Sequence, residues 1–439
     1  MATQINPPRG MRDFLPADKR RRERVLATIR AAYAKHGFDE IETPVVEDSD
    51  RLHSGLGGDN EKLSFAVLRR GLEQADLEGA AAANDPLALS DLGLRFDLTV
   101  PLARYVATHR GTLPTVFRAL QIGPVWRAER PQKGRYRQFV QCDIDILGEA
   151  TPLAEAELLV AGSAALAELG LTDCTIRVND RRLLNALLDW CGFAPVDQPG
   201  ALISVDKLDK IGVDGVVAEL ASTDAAAAGR LREALEGWAP VIEAGIALDG
   251  GAILESLPED LRTRADAIEA AEALGGIAAA VAAGGGALPL VYDPTLVRGM
   301  GYYTGTIFEV AHPRSGSSVG GGGRYDGMIG RFLGQDVPAC GFSIGFERIV
   351  DLVDGGETDA AEAVIALVDK RMPVADVMRA KQALLADDRR VRVEKRPKNV
   401  RNLLERAAAE GFTHVAHVRE EHVADPASLT LEPLGEPDA

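Results

Sequence analysis

The stretch WRAERPQKGRYRQFVQCDIDILG, residues 126–148, sets a group of cations directly ahead of a segment in which polar and apolar side chains alternate. The cations are Arg127, Arg130, Lys133, Arg135 and Arg137. In a strand over 139–146, successive side chains would point to opposite faces. One face would carry Phe139, Gln141, Asp143 and Asp145, and the other Val140, Cys142, Ile144 and Ile146. The second set predicts a core face, and the first predicts a polar face beside the cations.

Two earlier segments show the same alternation. LRFDLTV (94–100) would set Arg95, Asp97 and Thr99 opposite Leu94, Phe96 and Leu98, and TVFRALQIGPVWRAE (115–129) would set Arg127 and Glu129 opposite Trp126 and Ala128. No helix-length segment separates the second and third strands, which predicts antiparallel pairing. A solvated sheet face would look similar. Arginine without lysine on these faces favours the floor of a ligand-binding site, because the rigid guanidinium fork suits phosphate and carboxylate oxygens.

Composition narrows the class of protein. The chain has 439 residues, 46% of them hydrophobic and 26% charged, as expected for a globular protein of two or three domains. No apolar run approaches the ~20 residues that span a bilayer, and the start lacks the core of a signal peptide, so we expect a cytoplasmic protein. The four cysteines lie far apart without a CxxC pair, and the seven histidines show no metal-ligand spacing, so we expect neither a structural zinc site nor a disulfide framework. A net charge of −17 opposes diffuse adhesion to nucleic acid but permits a local basic site.

Periodicity predicts an α+β fold. We expect a helix over about 17–36, a strand in FDEIETPVVED that ends near Pro44, and an insertion or mobile connection over 70–90. A helix should begin at Thr151–Pro152 and end at Gly170. Ala-rich, mainly helical sequence over 171–288 predicts an inserted domain, and strands return in LPLVYDPTLV and YYTGTIFEVA. After a composition break at 354–362, AVIALV and THVAHV predict strands of a final α/β segment.

The predicted polar faces carry both Asp and Gln side chains and arginines, which suggests a ligand with a positively charged group and a negatively charged group. An ammonium requires Asp and Gln, whereas phosphates require arginine, and the two meet when an amino acid is activated by a nucleotide. The chain has neither a GxxxxGK[ST] motif nor a strand-GxGxxG-helix unit. The glycine run at 320–323 is a weak signal, since it could be a turn.

Three segments resemble the motifs of class II aminoacyl-tRNA synthetases. The opening stretch resembles motif 2, which holds ATP; GFSIGFERIV resembles motif 3; and GFDEIETPVVED resembles motif 1, which is associated with dimer formation. LVRGMGYYTGTIFE (296–309) and GGRYDGMIGRFLG (322–334) are similar to the two signatures of histidyl-tRNA synthetases, and PPRGMRDFLP is typical of them. The likeness runs from about residue 7 to 420. It implies an antiparallel catalytic domain in two parts (1–170 and 289–355), a helical insertion (171–288) and a shortened C-terminal anticodon-binding domain (362–439).

The resemblance also implies roles for individual residues. Arg127 and Arg298 would act at the α-phosphate, and the ATP site would comprise Arg127, Glu129, Arg135, Phe139 and Arg348, with adenine between Phe139 and Arg348. The α-ammonium of histidine would meet Asp97, Thr99 and Gln141, and the imidazole would meet Asp145 and Tyr303, with Tyr302 and Arg298 nearby. Mg²⁺ would accompany ATP, without zinc or an organic cofactor. The partners would be tRNA(His) and a second copy of the chain, with no membrane.

Three departures from the family pattern stand out. Gly301 replaces the usual Asp, Asp145 stands where many bacterial relatives have Glu, and the C-terminal segment ends early in an acidic tail. RRVRVEKRPKNVR (389–401) predicts phosphate contact, although a solvated helix start would look similar. Two alternatives to a synthetase are an inactive paralogue similar to the regulatory subunit of ATP phosphoribosyltransferase, and a tRNA-binding module without catalysis.

Overall fold

The computed structural model describes residues 5–53, 63–131, 134–298, 301–353, 362–385, 389–425 and 428–434. Lys133, most of the break at 354–362 and most of the acidic tail lie outside these ranges. The chain divides into two compact units: Met1–Asp13 with Arg24–Asp354, and Phe14–Glu23 with Gly355–Ala439. No helix in the described ranges is long and apolar enough to cross a membrane.

The strands are β1 (Asp39–Glu40), β2 (Val46–Asp48), β3 (Phe65–Leu68), β4 (Ser90–Leu94), β5 (Phe117–Trp126), β6 (Gln138–Leu147), β7 (Thr175–Asp180), β8 (Ile246–Ala247), β9 (Leu290–Tyr292), β10 (Thr306–Ala311), β11 (Gly320–Arg324), β12 (Ala339–Ile344), β13 (Ala363–Val368), β14 (Arg390–Lys395), β15 (His414–Val418) and β16 (Leu431–Pro433). The helices are α1 (Pro16–Lys35), α2 (Ser49–His53), α3 (Gln74–Ala83), α4 (Thr99–His109), α5 (Leu153–Glu168), α6 (Arg181–Cys191), α7 (Gln198–Val205), α8 (Leu208–Ala221), α9 (Ala225–Ala244), α10 (Gly250–Ser256), α11 (Ala265–Ala283), α12 (Gly327–Leu333), α13 (Phe346–Leu352), α14 (Val374–Leu385), α15 (Val400–Ala409) and α16 (Glu420–Ala424).

A nine-stranded sheet organises the larger unit, in the order β1-β5-β6-β12-β11-β10-β7-β9-β8. From β5 to β7 every neighbouring pair is antiparallel, whereas β1 with β5 and β7 with β9 are parallel. The predicted antiparallel pairing of β5 and β6 is confirmed, with Gly123 opposite Gln141. The α+β class predicted from the sequence is therefore correct.

The second half of strand β6, from Cys142 to Leu147, is buried on both faces. The predicted core face is confirmed, since Cys142, Ile144 and Ile146 are all 0% exposed. On the polar face Asp143 is 6% and Asp145 5% exposed. A solvated sheet face is thus the wrong interpretation for these two positions, because burying two carboxylates is costly unless other groups satisfy them.

Helix α1 forms where the sequence predicts it. Val25, Ile29, Ala32 and Tyr33 occur at helical spacing and are buried. Gly37 follows the helix with a φ of 80°, a left-handed conformation that glycine adopts without steric cost. Helix α5 likewise matches the prediction over 151–170.

The predicted strand over 94–100 is wrong. β4 ends at Leu94 and α4 begins at Thr99, so the period-2 faces of this segment do not exist. The side chain of Asp97 explains the turn, because its Oδ1 accepts the N–H of Val100 at 3.2 Å and satisfies a donor at the start of the helix. Arg95 is also buried there, and its Nε donates to the carbonyl of Pro124 at 2.9 Å.

Three other expectations need correction. The segment over 70–90 contains helix α3 and is not an irregular connection. FDEIETPVVED does not form one strand, since it contributes β1 to the large sheet and β2 to a small β2-β4-β3 sheet. The range 171–288 is mainly helical, but its β7 and β8 pair within the large sheet, so the boundary predicted at 171 falls ahead of a sheet strand.

The smaller unit contains a four-stranded sheet in the order β14-β13-β15-β16. β13 is parallel to both of its neighbours, and all six of its residues are buried. AVIALV and THVAHV are thus confirmed as strands. The cationic stretch 389–401 supplies the edge strand β14, where Arg390 and Arg392 lie over the ring of Phe412 at 4.0 and 4.6 Å from its centroid.

Candidate active site

Four buried side-chain oxygen atoms have no hydrogen-bond partner among the described residues, and two of the four are pure acceptors that carry no proton of their own. These two acceptors are Oδ2 of Asp97 and Oε1 of Gln141. Asp97 is 2% exposed, and Gln141 lies on the polar face of β6. Each residue satisfies its other end within the protein: Asp97 accepts from Val100, and Nε2 of Gln141 donates to Asp143 at 3.2 Å. Buried polar atoms are normally paired, so these two acceptors indicate a place for an external donor.

Negative charge is concentrated around these acceptors. Burial raises the pKa of Asp97, whereas the N–H of Val100 and the charge of Arg127 lower it. Burial also raises the pKa of Asp145, to about 7, with Asp97 adding to the increase and the hydroxyl of Tyr325 opposing it. A cation bound here would relieve both carboxylates.

A second cluster surrounds Asp145. The hydroxyl of Tyr325 donates to Oδ1 of Asp145 at 2.6 Å, and Gly341 lies opposite Asp145 in the β6–β12 pairing. A Cβ on Gly341 would lie only 2.1 Å from that oxygen. Neither Tyr325 nor Gly341 was identified from the sequence as a site residue, although both belong to segments that carry the family resemblance.

Tyrosines connect this cluster to an arginine. The ring centroids of Tyr302 and Tyr303 are 4.8 Å apart, and those of Tyr302 and Tyr325 are 5.9 Å apart. Tyr302 is hydrogen-bonded to Thr99 and to Tyr303, which is in turn hydrogen-bonded to Arg298. Burial lowers the pKa of Arg298, but Tyr303 and Glu309 outweigh it and leave that pKa above its usual value. The predicted residues Thr99, Tyr302, Tyr303 and Arg298 therefore form one continuous network.

The glycine run at 320–323 is a strand, not a turn. A Cβ on Gly321 would lie 2.8 Å from Nη1 of Arg298, and one on Gly323 would lie 3.0 Å from the ring of Tyr303. On Gly322 it would lie 1.9 Å from the carbonyl oxygen of Gly341. The absence of side chains along β11 is what lets Arg298 and Tyr303 lie directly against its backbone.

Other arginines converge near Arg298. Burial lowers the pKa of Arg348, and the charges of Arg135 and Arg298 lower it further, while Glu309 raises it. Nη1 of Arg298 donates to Glu309 at 3.2 Å, and Arg348 donates to the carbonyl of Ser318. Arg135 pairs with Glu129 at 3.1 Å and is half exposed. The mutual effect of these arginines makes the potential here more positive, which favours an anion beside them.

The residues that follow β5 depart from the predicted geometry. Arg127 and Glu129 lie beyond Trp126, the last residue of β5, and not on a strand face. The N–H of Arg127 still donates across the hairpin to the carbonyl of Arg137, whereas the N–H of Ala128 donates to the carbonyl of Leu63. Nε of Arg127 donates to the carbonyl of Phe96 at 3.0 Å, and its guanidinium lies 5.0 Å from the centroid of Phe139. The ring of Phe139 thus already contacts one arginine that the sequence did not pair with it.

Two further positions bear on the sequence expectations. Gly301 is exposed, and a Cβ there would meet nothing within 4 Å, so the site has room for the side chain that this chain lacks. Arg324 forms a two-point ion pair with buried Glu155, with both N···O distances at 2.6 Å. That pair fixes the end of β11 immediately before Tyr325.

One group among the described residues has the donor set of a metal site: Asp173, Cys174 and His312, whose ligand atoms lie within 4.8 Å of one another. Nδ1 of His312 accepts the N–H of Arg314, which leaves the proton of a neutral ring on Nε2, the atom that would have to bind the metal. Nε2 lies 3.0 Å from Asp173 without hydrogen-bond geometry. Burial, with Asp173, raises the pKa of Cys174 to about 11, which disfavours the thiolate. The group fits a metal poorly.

The comparisons with known proteins agree on one family. The family model for histidyl-tRNA synthetase matches residues 10–349. The histidine–tRNA ligase of Leifsonia xyli subsp. xyli is 60% identical over 439 residues, covering 99% of this chain and 100% of that protein. The probable histidine–tRNA ligase of Tropheryma whipplei (strain Twist) is 40% identical over 441 residues, covering 99% and 97%.

Solved structures show the same fold at lower identity. Histidyl-tRNA synthetase from Nostoc sp. PCC 7120 superposes with a TM-score of 0.74 at 23% identity, covering 98% of this chain and 97% of that one. An ATP phosphoribosyltransferase regulatory subunit/histidyl-tRNA synthetase from Bacillus halodurans C gives 0.72 at 21% identity, covering 92% and 97%. The family model and the full-length relatives, together with this fold, establish that the chain belongs to the histidyl-tRNA synthetase family.

Proposed function

We propose that this chain is an ATP-dependent histidine–tRNA ligase, which activates L-histidine as histidyl-adenylate and transfers it to the 3′ end of tRNA(His). The observation that carries the proposal is the pair of unpartnered buried acceptors, Asp97 Oδ2 and Gln141 Oε1, next to a converging group of arginines. The first feature suits an α-ammonium and the second suits phosphates.

At the amino-acid end, Asp97 and Gln141 receive the α-ammonium, with Thr99 holding the hydroxyl of Tyr302. The imidazole lies toward Asp145, which has one oxygen occupied by Tyr325 and the other available to accept from a ring N–H. Tyr303 serves the second ring nitrogen. An apolar amino acid would leave these buried polar groups unpaired, which is the physical basis for rejecting it.

At the nucleotide end, the histidine carboxylate attacks the α-phosphorus in line, and pyrophosphate leaves. Arg127 and Arg298 stabilise the negative charge that develops at the α-phosphate, Arg135 contacts the γ-phosphate, and the adenine lies near Phe139, Glu129 and Arg348. Such chemistry depends on positioning and electrostatic stabilisation, so it requires no covalent nucleophile from the protein. ATP arrives as its Mg²⁺ complex, in which phosphate oxygens supply much of the coordination.

In the second step the terminal ribose hydroxyl of tRNA attacks the activated carbonyl and AMP leaves. We propose that the segment 362–439 reads the anticodon region through the cationic edge strand β14. The segments 1–170 and 289–355 form the catalytic domain, and the helices within 171–288 form an insertion. A symmetric homodimer in the cytoplasm completes the proposal, supported by the motif 1 resemblance and by the prevalence of two-fold assemblies.

A regulatory paralogue is the less favoured alternative. The relatives with high identity over the whole chain are named as histidine–tRNA ligases. Arg127, Arg135 and Arg348 are all present, and the charges of Arg135 and Arg298 act on Arg348. A protein that only senses histidine needs no such concentration of cations.

Histidine-dependent exchange of labelled pyrophosphate into ATP tests the proposal. The purified full chain should incorporate label when histidine, ATP and Mg²⁺ are present, and should lose this activity when histidine is omitted or replaced by leucine. Arg232→Ala, at an arginine of α9 that pairs with Asp214, is the control and should retain full exchange. A folded protein that binds histidine without exchange would be the paralogue instead.

A further inference from the structure

Asp143 is a buried carboxylate that the mechanism above does not use. It lies on β6 between Gln141 and Asp145, on the same face as both. Each of its oxygens accepts one hydrogen bond. Oδ1 accepts from the hydroxyl of Ser343 at 2.5 Å, and Oδ2 accepts from Nε2 of Gln141 at 3.2 Å.

These contacts determine which end of the Gln141 amide faces the ligand. An amide has a donor end and an acceptor end, and only the acceptor end can receive an ammonium. Because Oδ2 of Asp143 accepts from the Gln141 amide, the donor end of that amide faces Asp143, and Oε1 is left buried without a partner. The reversed amide would direct an N–H group at the ammonium and oppose its oxygen to a carboxylate, so both contacts would be repulsive.

Ser343 holds Asp143 from the neighbouring strand. The two residues are opposite each other in the β6–β12 pairing, so the short hydroxyl contact is fixed by the sheet itself. The resulting chain of hydrogen bonds runs from Ser343 through Asp143 to Gln141. It leaves both oxygens of Asp143 engaged inside the protein.

We propose that Asp143, held by Ser343, is a positioning residue for amino-acid recognition, which orients the Gln141 amide so that its oxygen receives the α-ammonium of histidine. This inference rests on the proposed function. It assigns Asp143 an effect that passes through Gln141, and it predicts that the carboxylate itself does not contact histidine.

A double-mutant cycle tests whether the effect passes through Gln141. The exchange assay is run on wild type, Asp143→Ala, Gln141→Ala and the double variant, with KM measured separately for histidine and for ATP. Asp143→Ala should raise the histidine KM by about five- to tenfold, the loss expected for one ordered hydrogen bond, and leave the ATP KM within about twofold. In the Gln141→Ala background the same change should add less than about twofold. Additive effects would overturn the inference.

Two further variants separate orientation from charge. Asp143→Asn keeps an oxygen that can accept from Gln141 and an amide that can donate to Ser343 Oγ, so it should stay within about twofold of wild type. A histidine KM as poor as that of Asp143→Ala would mean that charge matters and would overturn the inference. Ser343→Ala should give a smaller increase that also disappears in the Gln141→Ala background.

The controls keep each outcome decisive. Asp266→Ala, at a residue of α11 paired with Arg264, should leave both KM values unchanged and should show no coupling to Gln141. Circular dichroism melts verify folding, and if Asp143→Ala does not fold, Ser343→Ala replaces it in the cycle with Gln141→Ala. A wild-type protein without histidine-dependent exchange refutes the proposed function as well. Exchange with an additive cycle refutes only the role of Asp143.

Discussion

Gly341→Ala should damage histidine recognition while sparing ATP. Gly341 is opposite Asp145 in adjacent strands, and the added Cβ would lie 2.1 Å from Oδ1 and 3.1 Å from Cγ of that carboxyl group. Ordinary contacts begin near 3.4 Å, so the carboxylate has to retreat by about 1.3 Å. The same methyl group would lie 3.2 Å from Cε1 of Tyr325 and would disturb the hydroxyl that holds the carboxylate.

The displacement sets the size of the effect. A misplacement of about 1 Å at a recognition group costs on the order of a hundredfold. That factor is about 2.8 kcal/mol, at about 1.4 kcal/mol per tenfold. We therefore expect the histidine KM in the exchange assay to rise by about a hundredfold, with the ATP KM changed by less than about threefold. The fold should survive, because the clash is with the end of a side chain and not with backbone.

Gly276→Ala is the matched control. This glycine is an exposed residue inside α11, and a Cβ there meets nothing within 4 Å. It should leave both KM values unchanged and raise stability by up to ~1 kcal/mol, since alanine favours the helix. An unchanged histidine KM in a folded Gly341→Ala protein, or an equal rise for histidine and ATP, would refute the placement of the imidazole beside Asp145.

Four further outcomes are expected. Arg127→Ala should reduce pyrophosphate exchange by about a hundredfold or more in a folded protein, and near-normal exchange would end its assignment. Asp145→Ala should raise the histidine KM at least about tenfold and affect ATP much less, with Asp143→Ala the milder change; the reverse order would contradict the assigned strand register. Sedimentation should show a dimer, and a fully active 46.7 kDa monomer at micromolar concentration would exclude it. Burial raises the pKa of Asp145 to about 7, so the folded state binds the proton of this carboxyl group more tightly than the unfolded chain does. The stabilisation that this proton provides is therefore lost as the pH rises from about 4 through 7. Melting temperatures should fall over that range more in wild type than in Asp145→Asn.

Alternation and helical period predicted those parts of the molecule that local sequence controls. The apolar face of β6, with Cys142, Ile144 and Ile146, follows from side-chain parity, and the buried stripe of α1 follows from its 3.6-residue period. Residues 95–99 were misassigned because parity cannot distinguish a short strand from the turn into a helix. A signal was present: Asp97 is a good helix-capping residue, and Pro101 is tolerated in a first helical turn.

Tyr325 and Ser343 could not be identified as site residues from the sequence, for a different reason. Tyr325 bonds to Asp145 from 180 residues away along the chain, and Ser343 bonds to Asp143 from 200 residues away. Those contacts depend on which strands are neighbours and in which register, and no local pattern contains that information. Family resemblance pointed to the segments, whereas the partners of each side chain required the sheet.

The glycine strand β11 also bears on the order of events as the chain folds. Each glycine in a strand costs about 0.5–1 kcal/mol in backbone entropy, so four in succession make β11 intrinsically the least inclined of the central strands to become extended. With no side chains over 320–323 to join an early hydrophobic collapse, it gains order from the backbone hydrogen bonds offered by β10 on one side and β12 on the other. We therefore expect β11 to join the sheet after β10 and β12 have become ordered. In that case the surface against which Arg298 and Tyr303 lie would form only in this last step.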